Sequence, residues 1–141
     1  MWRVGPLRSR PIIHVAAALI WRDESLLISR RTKGSHLEGF WEFPGGKLED
    51  GEDLRMCVER EVMEELGIKV RAGGLIFETR YEYEEKSVDL SFFNCTMLEG
   101  EAFPREKQEI RWVLTSDLGK YRFPPPDLKM IEVVLLGNSP L

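Results

Sequence analysis

The chain has 141 residues, of which 43% are hydrophobic, 10% aromatic and 31% charged, a profile typical of one packed globular domain rather than of a disordered segment. Its formal net charge of −4 argues against the broad basic face that duplex DNA or structured RNA requires, so we expect a small-molecule partner and no nucleic acid polymer. The two cysteines, Cys57 and Cys95, lack the spacing of a zinc site or of a disulfide framework. These features predict a single domain over residues 1–141 in a reduced, cytoplasmic setting.

The first segment admits two interpretations. The apolar run at residues 11–21 imitates a secretory signal, because it follows three arginines, Arg3, Arg8 and Arg10. However, His14 interrupts the run, and turn-forming residues at 22–25 lead to a second apolar run at 26–28. We therefore favour a buried β-hairpin, and no stretch reaches the roughly 18 apolar residues that a membrane span needs.

The next segment predicts a loop, a short strand and a helix. A polar connection at 32–39 precedes the aromatic segment 40–43 and a Pro-Gly-Gly turn at 44–46. The spacing then predicts a helix over 53–66, since every residue there tolerates a helix, acidic residues stand at its start, and Gly67 is suited to a left-handed end.

The last third predicts mainly strands. Residues 77–83 alternate between polar and apolar, 88–97 form a second extended run, and 84–86 turn between them. A strand is expected at 110–114, and the prolines at 124–126 introduce a final amphipathic helix through Leu128, Ile131, Val134 and Leu135. Strands around one helix and ending in another describe an α+β fold, an α/β/α sandwich.

The chemistry is predicted to lie in the first helix and the loop before it. Seven residues stand there at fixed spacings: Gly46, Glu52, Arg60, Glu61, Glu64, Glu65 and Gly67. At a typical residue frequency of about 7%, seven such identities coincide by chance in a chain of this length with a probability of roughly 10⁻⁶. The pattern is therefore treated as a functional motif.

The helical spacing also argues for a metal site. At about 100° per residue, Glu61, Glu64 and Glu65 overlap the side of the helix that carries its apolar residues, so we expect their carboxylates to point toward the protein. That apolar side consists of Leu54, Cys57, Val58, Val62 and Leu66. The alternative, a solvated acidic face held by pairs such as Arg60 with Glu64, predicts the opposite orientation. Clustered carboxylates repel one another unless a cation binds, and their oxygens suit Mg²⁺, which can activate water against a phosphate.

The seven residues match the Nudix box at every specified position, and the chain resembles the Nudix hydrolase family, most closely its MutT-like nucleoside triphosphate pyrophosphohydrolases. The resemblance runs from Val15 to the helix after Pro126, although only the box is highly specific. It implies a Nudix fold with a mixed sheet between helices and a strand-loop-helix motif that holds Mg²⁺, for which Mn²⁺ could substitute. The metal ligands so implied are the carbonyl of Gly45 and the carboxylates of Glu61, Glu64, Glu65 and Glu106.

The motif and the resemblance also predict which residues support the site, which accept a proton and which contact phosphates. Arg60 and Glu52 are predicted to form an ion pair that fixes the helix against the loop. Glu61 is the first choice for the general base and Glu106 the second. By resemblance, Arg31 and Lys47 match positions that contact phosphates.

Residues predicted to face the base are less constrained. Trp41 and Phe43 could wall a base pocket by stacking or could belong to the core, and one of the two is expected to face the ligand. His36 is either structural or adjacent to the ligand. Asp127 could simply favour the start of the last helix, but it matches the base-recognising position of MutT-like enzymes, which is often asparagine. While ionised, an aspartate only accepts hydrogen bonds, which favours base edges rich in N–H groups, as in guanine or cytosine.

The resulting hypothesis is Mg²⁺-dependent hydrolysis of a (deoxy)nucleoside triphosphate to the monophosphate and pyrophosphate. The expected substrate is oxidised dGTP or a CTP/dCTP-type nucleotide, and the expected role is sanitation of the nucleotide pool by a monomer or homodimer. Another nucleoside diphosphate derivative, such as a dinucleoside polyphosphate or ADP-ribose, is the alternative within the family; residues 81–84 lack the prolines typical of ADP-ribose hydrolases. The alternative of another class is a nucleotide-binding module without turnover, which would not need three intact glutamates.

Overall fold

A computed structural model describes residues 11–136. The strands are β1 (Ile12–Arg22), β2 (Ser25–Arg30), β3 (Trp41–Glu42), β4 (Gly45–Lys47), β5 (Lys69–Glu82), β6 (Ser87–Glu99) and β7 (Ile110–Leu114). The helices are α1 (Leu54–Leu66) and α2 (Pro125–Met130), with a 3₁₀ segment at Thr115–Lys120 and a π-helical turn at Ile131–Leu135 directly after α2.

Strand β1 organises the sheet because it pairs with three other strands. It runs parallel to β6, antiparallel to β4 through Val15, Ala16 and Ala17, and antiparallel to β2 near Arg22. The outer pairs are antiparallel: β6 with β5, and β2 with β3 and β7. The sheet is therefore mixed. Gly45 and Gly46, which were predicted to form a turn, instead belong to β4 and pair with Ala17 and Ala16 in the middle of β1.

Both faces of the sheet are covered. Successive β1 side chains alternate between two apolar clusters, with Ala16, Ala18 and Ile20 on the side of α1 and Ala17 and Leu19 on the opposite side. Cluster residues of α1 fill the first side, and residues from the 3₁₀ segment and α2 fill the second. The predicted α+β sandwich is confirmed, and the buried run in β1 is explained by coverage on two faces rather than by a signal segment.

Two further predicted elements differ in detail. Strand β5 begins at Lys69 rather than near residue 77. Its first part was not predicted, because bulges between Ala72, Leu75 and Phe77 break the simple alternation that marks a strand in sequence. The last helix widens into its π-helical turn after Met130, which shifts the phase of its side chains. Within α2 itself, the buried face is formed by Pro126, Asp127 and Met130. Leu128 lies off this face and is 41% exposed, so its predicted place on the buried face is wrong.

The remaining predicted elements, including both hairpins, the helix over 53–66 and the strand at 110–114, are confirmed. The three arginines at positions 3, 8 and 10 lie outside the described residues. Among residues 11–136, none of the helices has the length and apolar character needed to cross a membrane.

Candidate active site

Helix α1 is fixed at both ends by the residues that predicted it. The side chain of Asp53 accepts the backbone N–H of Met56 at 2.8 Å, which caps the first turn. Gly67 closes the last turn with φ +69°, a left-handed conformation that favours glycine, and its N–H donates to the Met63 carbonyl at 3.0 Å. The acidic residues of α1 are thus held in a defined rotation about the helix axis.

Glu61 lies directly against Gly46 in strand β4. An ideal Cβ atom built on Gly46 would stand only 2.4 Å from the Glu61 side-chain carbon, so the absence of a side chain at Gly46 makes room for this carboxylate. The Glu61 side chain is 16% exposed and accepts from Arg60 Nη1 at 3.1 Å. Burial raises the pKa of Glu61, although Arg60 opposes the shift. The spacing from Gly46 to Glu61 in the motif therefore has a steric cause.

Gly46→Ala should test this contact. The added methyl group would displace the Glu61 carboxylate, and misplacing a reacting group by about 1 Å can cost on the order of 10²-fold in rate. We expect kcat for the nucleotide hydrolysis predicted from the sequence to fall by at least about 10-fold, with a melting temperature close to that of the wild type. Gly74→Ala is the matched control, since nothing lies within 4 Å of a Cβ there; an equal loss in both variants would contradict the steric role.

Glu65 occupies the most electrostatically crowded position. Its carboxylate accepts the N–H of Gly45 at 3.3 Å, and its pKa is raised to about 9, first by burial and then by the negative charges of Glu42, Glu61 and Glu106. Carboxylates from α1, β3 and the loop before β7 therefore converge here. Such a cluster favours a bound cation, because a cation would remove the mutual repulsion.

Glu64 has an orientation that the sequence did not predict. Its side chain is 53% exposed, and both of its oxygens accept from Arg60 Nη1 at 3.3 Å. This is the i,i+4 pair of the alternative interpretation, so the expectation that all three carboxylates point toward the protein is wrong for Glu64. The three carboxylates cover an arc of the helix surface. Glu61 lies against Gly46, whereas Glu64 lies at the exposed edge of this arc.

Arg60 joins the helix to the preceding loop, as predicted. Its Nε and Nη2 donate to the two oxygens of Glu52 at 3.0 and 2.7 Å, and Nη2 also donates to the Lys47 carbonyl at 3.0 Å. The bidentate contact lowers the pKa of Glu52 to about 2. The predicted Arg60–Glu52 ion pair is confirmed.

The donor set at this position fits a hard divalent cation. All of the candidate ligands are oxygens, which Mg²⁺ and Mn²⁺ prefer, and the negative charges of Glu42, Glu61 and Glu106 act on the buried Glu65 carboxylate. As the side chains stand, no three acidic, histidine or cysteine groups within residues 11–136 enclose a common cation position, since Glu61 and Glu64 both turn to Arg60. The Gly45 contact that is observed is its N–H, so the carbonyl remains a predicted ligand.

A cavity of about 320 Å³ opens beside this acidic cluster, a size in the range of small-ligand pockets. Its apolar lining comes mainly from β1 and β6, and the cavity is also lined by the predicted residues Arg31, His36, Phe43, Lys47 and Asp127. Five side chains predicted separately from sequence are thus brought to one pocket.

The two aromatic candidates separate clearly. Phe43 lines the cavity and stacks on Phe123, with ring centroids 5.3 Å apart and an interplanar angle of 16°. Trp41 is buried in the core against Tyr121, with centroids 5.2 Å apart, and does not line the cavity. The predicted role of Trp41 in substrate binding is therefore wrong, because Trp41 packs into the core against Tyr121, and Phe43 is the one of the two that lines the cavity.

Asp127 is buried at the end of the cavity, in the first turn of α2. Its carboxyl group accepts the backbone N–H of Phe43, yet its pKa is raised to about 8, first by burial and then by the charge of Glu42. At neutral pH the side chain therefore carries a proton for most of the time. The expectation of a group that only accepts hydrogen bonds applies to the ionised form, whereas a protonated acid both donates and accepts, as asparagine does.

Arg31 connects the cavity to the acidic cluster. Its Nη1 donates to Glu42 at 2.8 Å, and its Nε donates to the His36 carbonyl. His36 touches the edge of Tyr83, with ring centroids 5.2 Å apart, and its pKa is lowered, mainly by burial. His36 is therefore at the rim of the cavity, where it could contact a ligand or support the loop.

The sequence did not predict a role for Glu42, which lines both the cavity and a neighbouring cleft that contains Glu65 and Glu106. Burial raises the pKa of Glu42, although Arg31 opposes the shift. The only available signal was an acidic residue between the aromatic residues Trp41 and Phe43.

The cavity continues into two further clefts. It shares Arg31, Glu42 and Gly45 with a cleft that contains Glu65 and Glu106. That second cleft opens into a third, more exposed one, which is lined by basic and acidic side chains: Arg30, Arg31, Lys33, Lys107, Glu38, Glu106 and Glu109. The three clefts form one path from an apolar pocket, past the carboxylates, to an exposed opening of mixed charge.

A model of the NUDIX domain family matches residues 15–133. The chain belongs to the Nudix family. The CTP pyrophosphohydrolase of Escherichia coli (strain K12) is 31% identical over 124 residues, which cover 88% of this chain and 92% of that protein. The 8-oxo-dGTP diphosphatase of Haemophilus influenzae is 35% identical over 128 residues, covering 89% and 93%.

Solved structures agree with this Nudix assignment. The E. coli ORF135 protein superposes with a TM-score of 0.81 at 31% identity, over 96% of each chain. The MutT protein of Methanosarcina mazei Go1 gives a TM-score of 0.82 at 29% identity, over 94% of this chain and 99% of that one. The resemblance inferred from the Nudix box and the predicted Nudix fold are confirmed, and the chain is a Nudix hydrolase that works, as this family does, with a divalent metal.

Proposed function

We propose that this Nudix hydrolase converts a (deoxy)nucleoside triphosphate to the monophosphate and pyrophosphate with Mg²⁺, in sanitation of the nucleotide pool. The observation that carries the proposal is a cleft lined by Glu65 and Glu106 that adjoins the apolar cavity, with Glu61 packed against Gly46 in the cavity wall. A nucleotide laid along this path would put its base in the cavity and its phosphates beside the carboxylates. The names of the relatives, a CTP pyrophosphohydrolase and an 8-oxo-dGTP diphosphatase, support the same substrate class.

The carboxylates are assigned to metal binding and proton transfer. Glu61, Glu64, Glu65 and Glu106, with the carbonyl of Gly45, would hold Mg²⁺, which would neutralise the phosphate chain and make water more acidic. Glu61 is the first choice to take the proton from the attacking water, because it is partly buried and pressed against the loop. Glu106, on the opposite side of the cleft, is the second choice. Arg60 and Glu52 hold the helix and loop in register.

The cationic side chains are assigned to the phosphates. Arg31 and Lys47 both line the cavity, and Arg31 also lines the cleft that contains Glu65 and Glu106. Arg31 is already bonded to Glu42 at 2.8 Å, so its guanidinium is oriented before a ligand arrives and can present its remaining N–H groups to a phosphate.

The base is assigned to the cavity, against Phe43 and within reach of Asp127. A protonated Asp127 would match a base edge that offers one acceptor beside one N–H group, such as guanine O6 beside N1–H or cytosine N3 beside its amino group. This chemistry accommodates both substrate types expected from the sequence, oxidised dGTP and a CTP/dCTP-type nucleotide.

A panel of nucleoside triphosphates, dinucleoside polyphosphates and ADP-ribose, incubated with Mg²⁺ and the wild-type chain, tests the proposal. We expect pyrophosphate and a nucleoside monophosphate from the triphosphates, and a changed ranking of bases in Asp127→Ala with similar cleavage of the phosphate chain. Release of orthophosphate from the triphosphates, or faster cleavage of another class, would reject the proposed reaction. Nucleotide binding with no turnover would indicate a binding module, and a uniform loss across bases in Asp127→Ala would indicate a structural acid.

A further inference from the structure

Gln108 is a buried polar residue to which the sequence assigned no role. It is 8% exposed and stands two residues after Glu106, in the loop that precedes β7. Its amide oxygen accepts the backbone N–H of Glu106 at 2.8 Å, and its amide nitrogen donates to the backbone carbonyl of Glu65 at 3.0 Å. The partners fix the orientation of the amide, because an N–H only donates and a carbonyl only accepts.

The two backbone groups that Gln108 joins belong to two residues of the acidic cluster. Glu65 comes from the last turn of α1 and Glu106 from the loop on the other side of the cleft. Both residues line the same cleft. Two carboxylates in one cleft repel each other when both are ionised, as metal ligands are, so the segments that carry them need to be held together.

The turn around Lys107 serves this contact. Lys107 has φ +63°, a left-handed conformation that residues other than glycine and asparagine seldom adopt. This reversal brings the Gln108 side chain back to the N–H of Glu106. The Arg105 N–H also donates to the Glu65 carbonyl, at 3.0 Å, so the loop is attached to the helix end from both sides of Glu106.

We propose that Gln108 is a positioning residue that sets the Glu106 carboxylate against that of Glu65 and thereby prepares the divalent-metal site. This inference rests on the proposed function, because it assumes that Glu65 and Glu106 are ligands. Gln108 itself does not bind the metal. It acts through the two backbone segments it joins, as residues that orient ligands in metalloproteins do.

Binding of Mn²⁺ to the full chain without nucleotide, measured by titration calorimetry, tests the inference. Gln108→Met keeps the volume of the side chain and removes both hydrogen bonds, so we expect its dissociation constant for Mn²⁺ to rise by about 10- to 100-fold, the usual effect of losing a group that orients ligands. Gln108→Ala should show the same rise. The concentration of Mg²⁺ that gives half-maximal hydrolysis should increase in parallel, while KM for the nucleotide at saturating Mg²⁺ should stay near the wild-type value.

Arg105→Ala is the matched control. Arg105 Nη1 donates to the Met63 carbonyl at 3.2 Å, so this variant also loses a side-chain bond from the same loop to the same helix end, but without moving Glu106. We expect its affinity for Mn²⁺ to stay within about twofold of the wild type, since an exposed bond of this kind contributes little.

The outcomes separate this inference from the proposed function. Wild-type affinity for Mn²⁺ in Gln108→Met, with only a lower melting temperature, would overturn the positioning role and leave the hydrolase assignment intact. A wild-type chain that binds Mn²⁺ but does not cleave nucleoside triphosphates would overturn the proposed function while the positioning role could still be measured. No measurable Mn²⁺ binding by the wild type would overturn both.

Discussion

Replacing Glu61 by glutamine is expected to lower kcat by at least about 10²-fold, the usual cost of losing a general base or an equivalent metal ligand. The amide keeps the size of the side chain beside Gly46 but can neither take a proton nor neutralise a cation. The fold should survive, because burial already disfavours the charged form of Glu61. Steady-state hydrolysis of the preferred nucleoside triphosphate at saturating Mg²⁺, with thermal melting measured in parallel, checks this result.

Glu59→Gln is the matched control for this prediction. Glu59 lies on the same helix but faces β5, where its carboxylate accepts the Ala72 N–H at 2.8 Å, a bond that a glutamine oxygen can also accept. We expect near wild-type turnover in this variant. Near-normal kcat in Glu61→Gln, or a comparable loss in Glu59→Gln, would refute the role given to Glu61.

Asp127→Asn is expected to stabilise the protein at alkaline pH. The pKa of Asp127 is raised from 3.8 to about 8, so between these values the native state holds a proton that the unfolded chain releases. The stabilising contribution of the protonated acid is therefore complete below about pH 4 and is lost as the pH rises to about 8. Asparagine does not titrate, so the difference in unfolding free energy should change in favour of the variant by up to about 6 kcal/mol from below pH 4 to above pH 8, at 1.36 kcal/mol per pKa unit.

Urea unfolding of both proteins at pH 5 and pH 8 measures this difference. The difference in unfolding free energy between variant and wild type should grow with pH across this window. Asp117→Asn serves as the control, because Asp117 is exposed and forms a surface pair with Lys120 at 3.2 Å, which is expected to contribute little. A difference that stays constant with pH in Asp127→Asn would show that Asp127 is ionised in the native state.

The sequence by itself determined the elements and the identity of the chemistry. Helix α1 could be predicted because its signals are local: Asp53 caps it, its apolar residues repeat with the helical period, and Gly67 ends it. The carboxylate motif could be recognised for the same reason, since all of its members lie within residues 46–68. The Arg60–Glu52 pair also joins neighbours along the chain, and it was predicted correctly.

Only the tertiary structure decided which side chains meet across the fold and what protonation state each adopts. Glu64 turns to solvent and Arg60, and Trp41 enters the core while Phe43 lines the cavity. The pKa of Asp127 is raised because burial and Glu42 disfavour its charge. These outcomes depend on desolvation and on contacts between residues far apart in the chain, and neither quantity is encoded in local spacing.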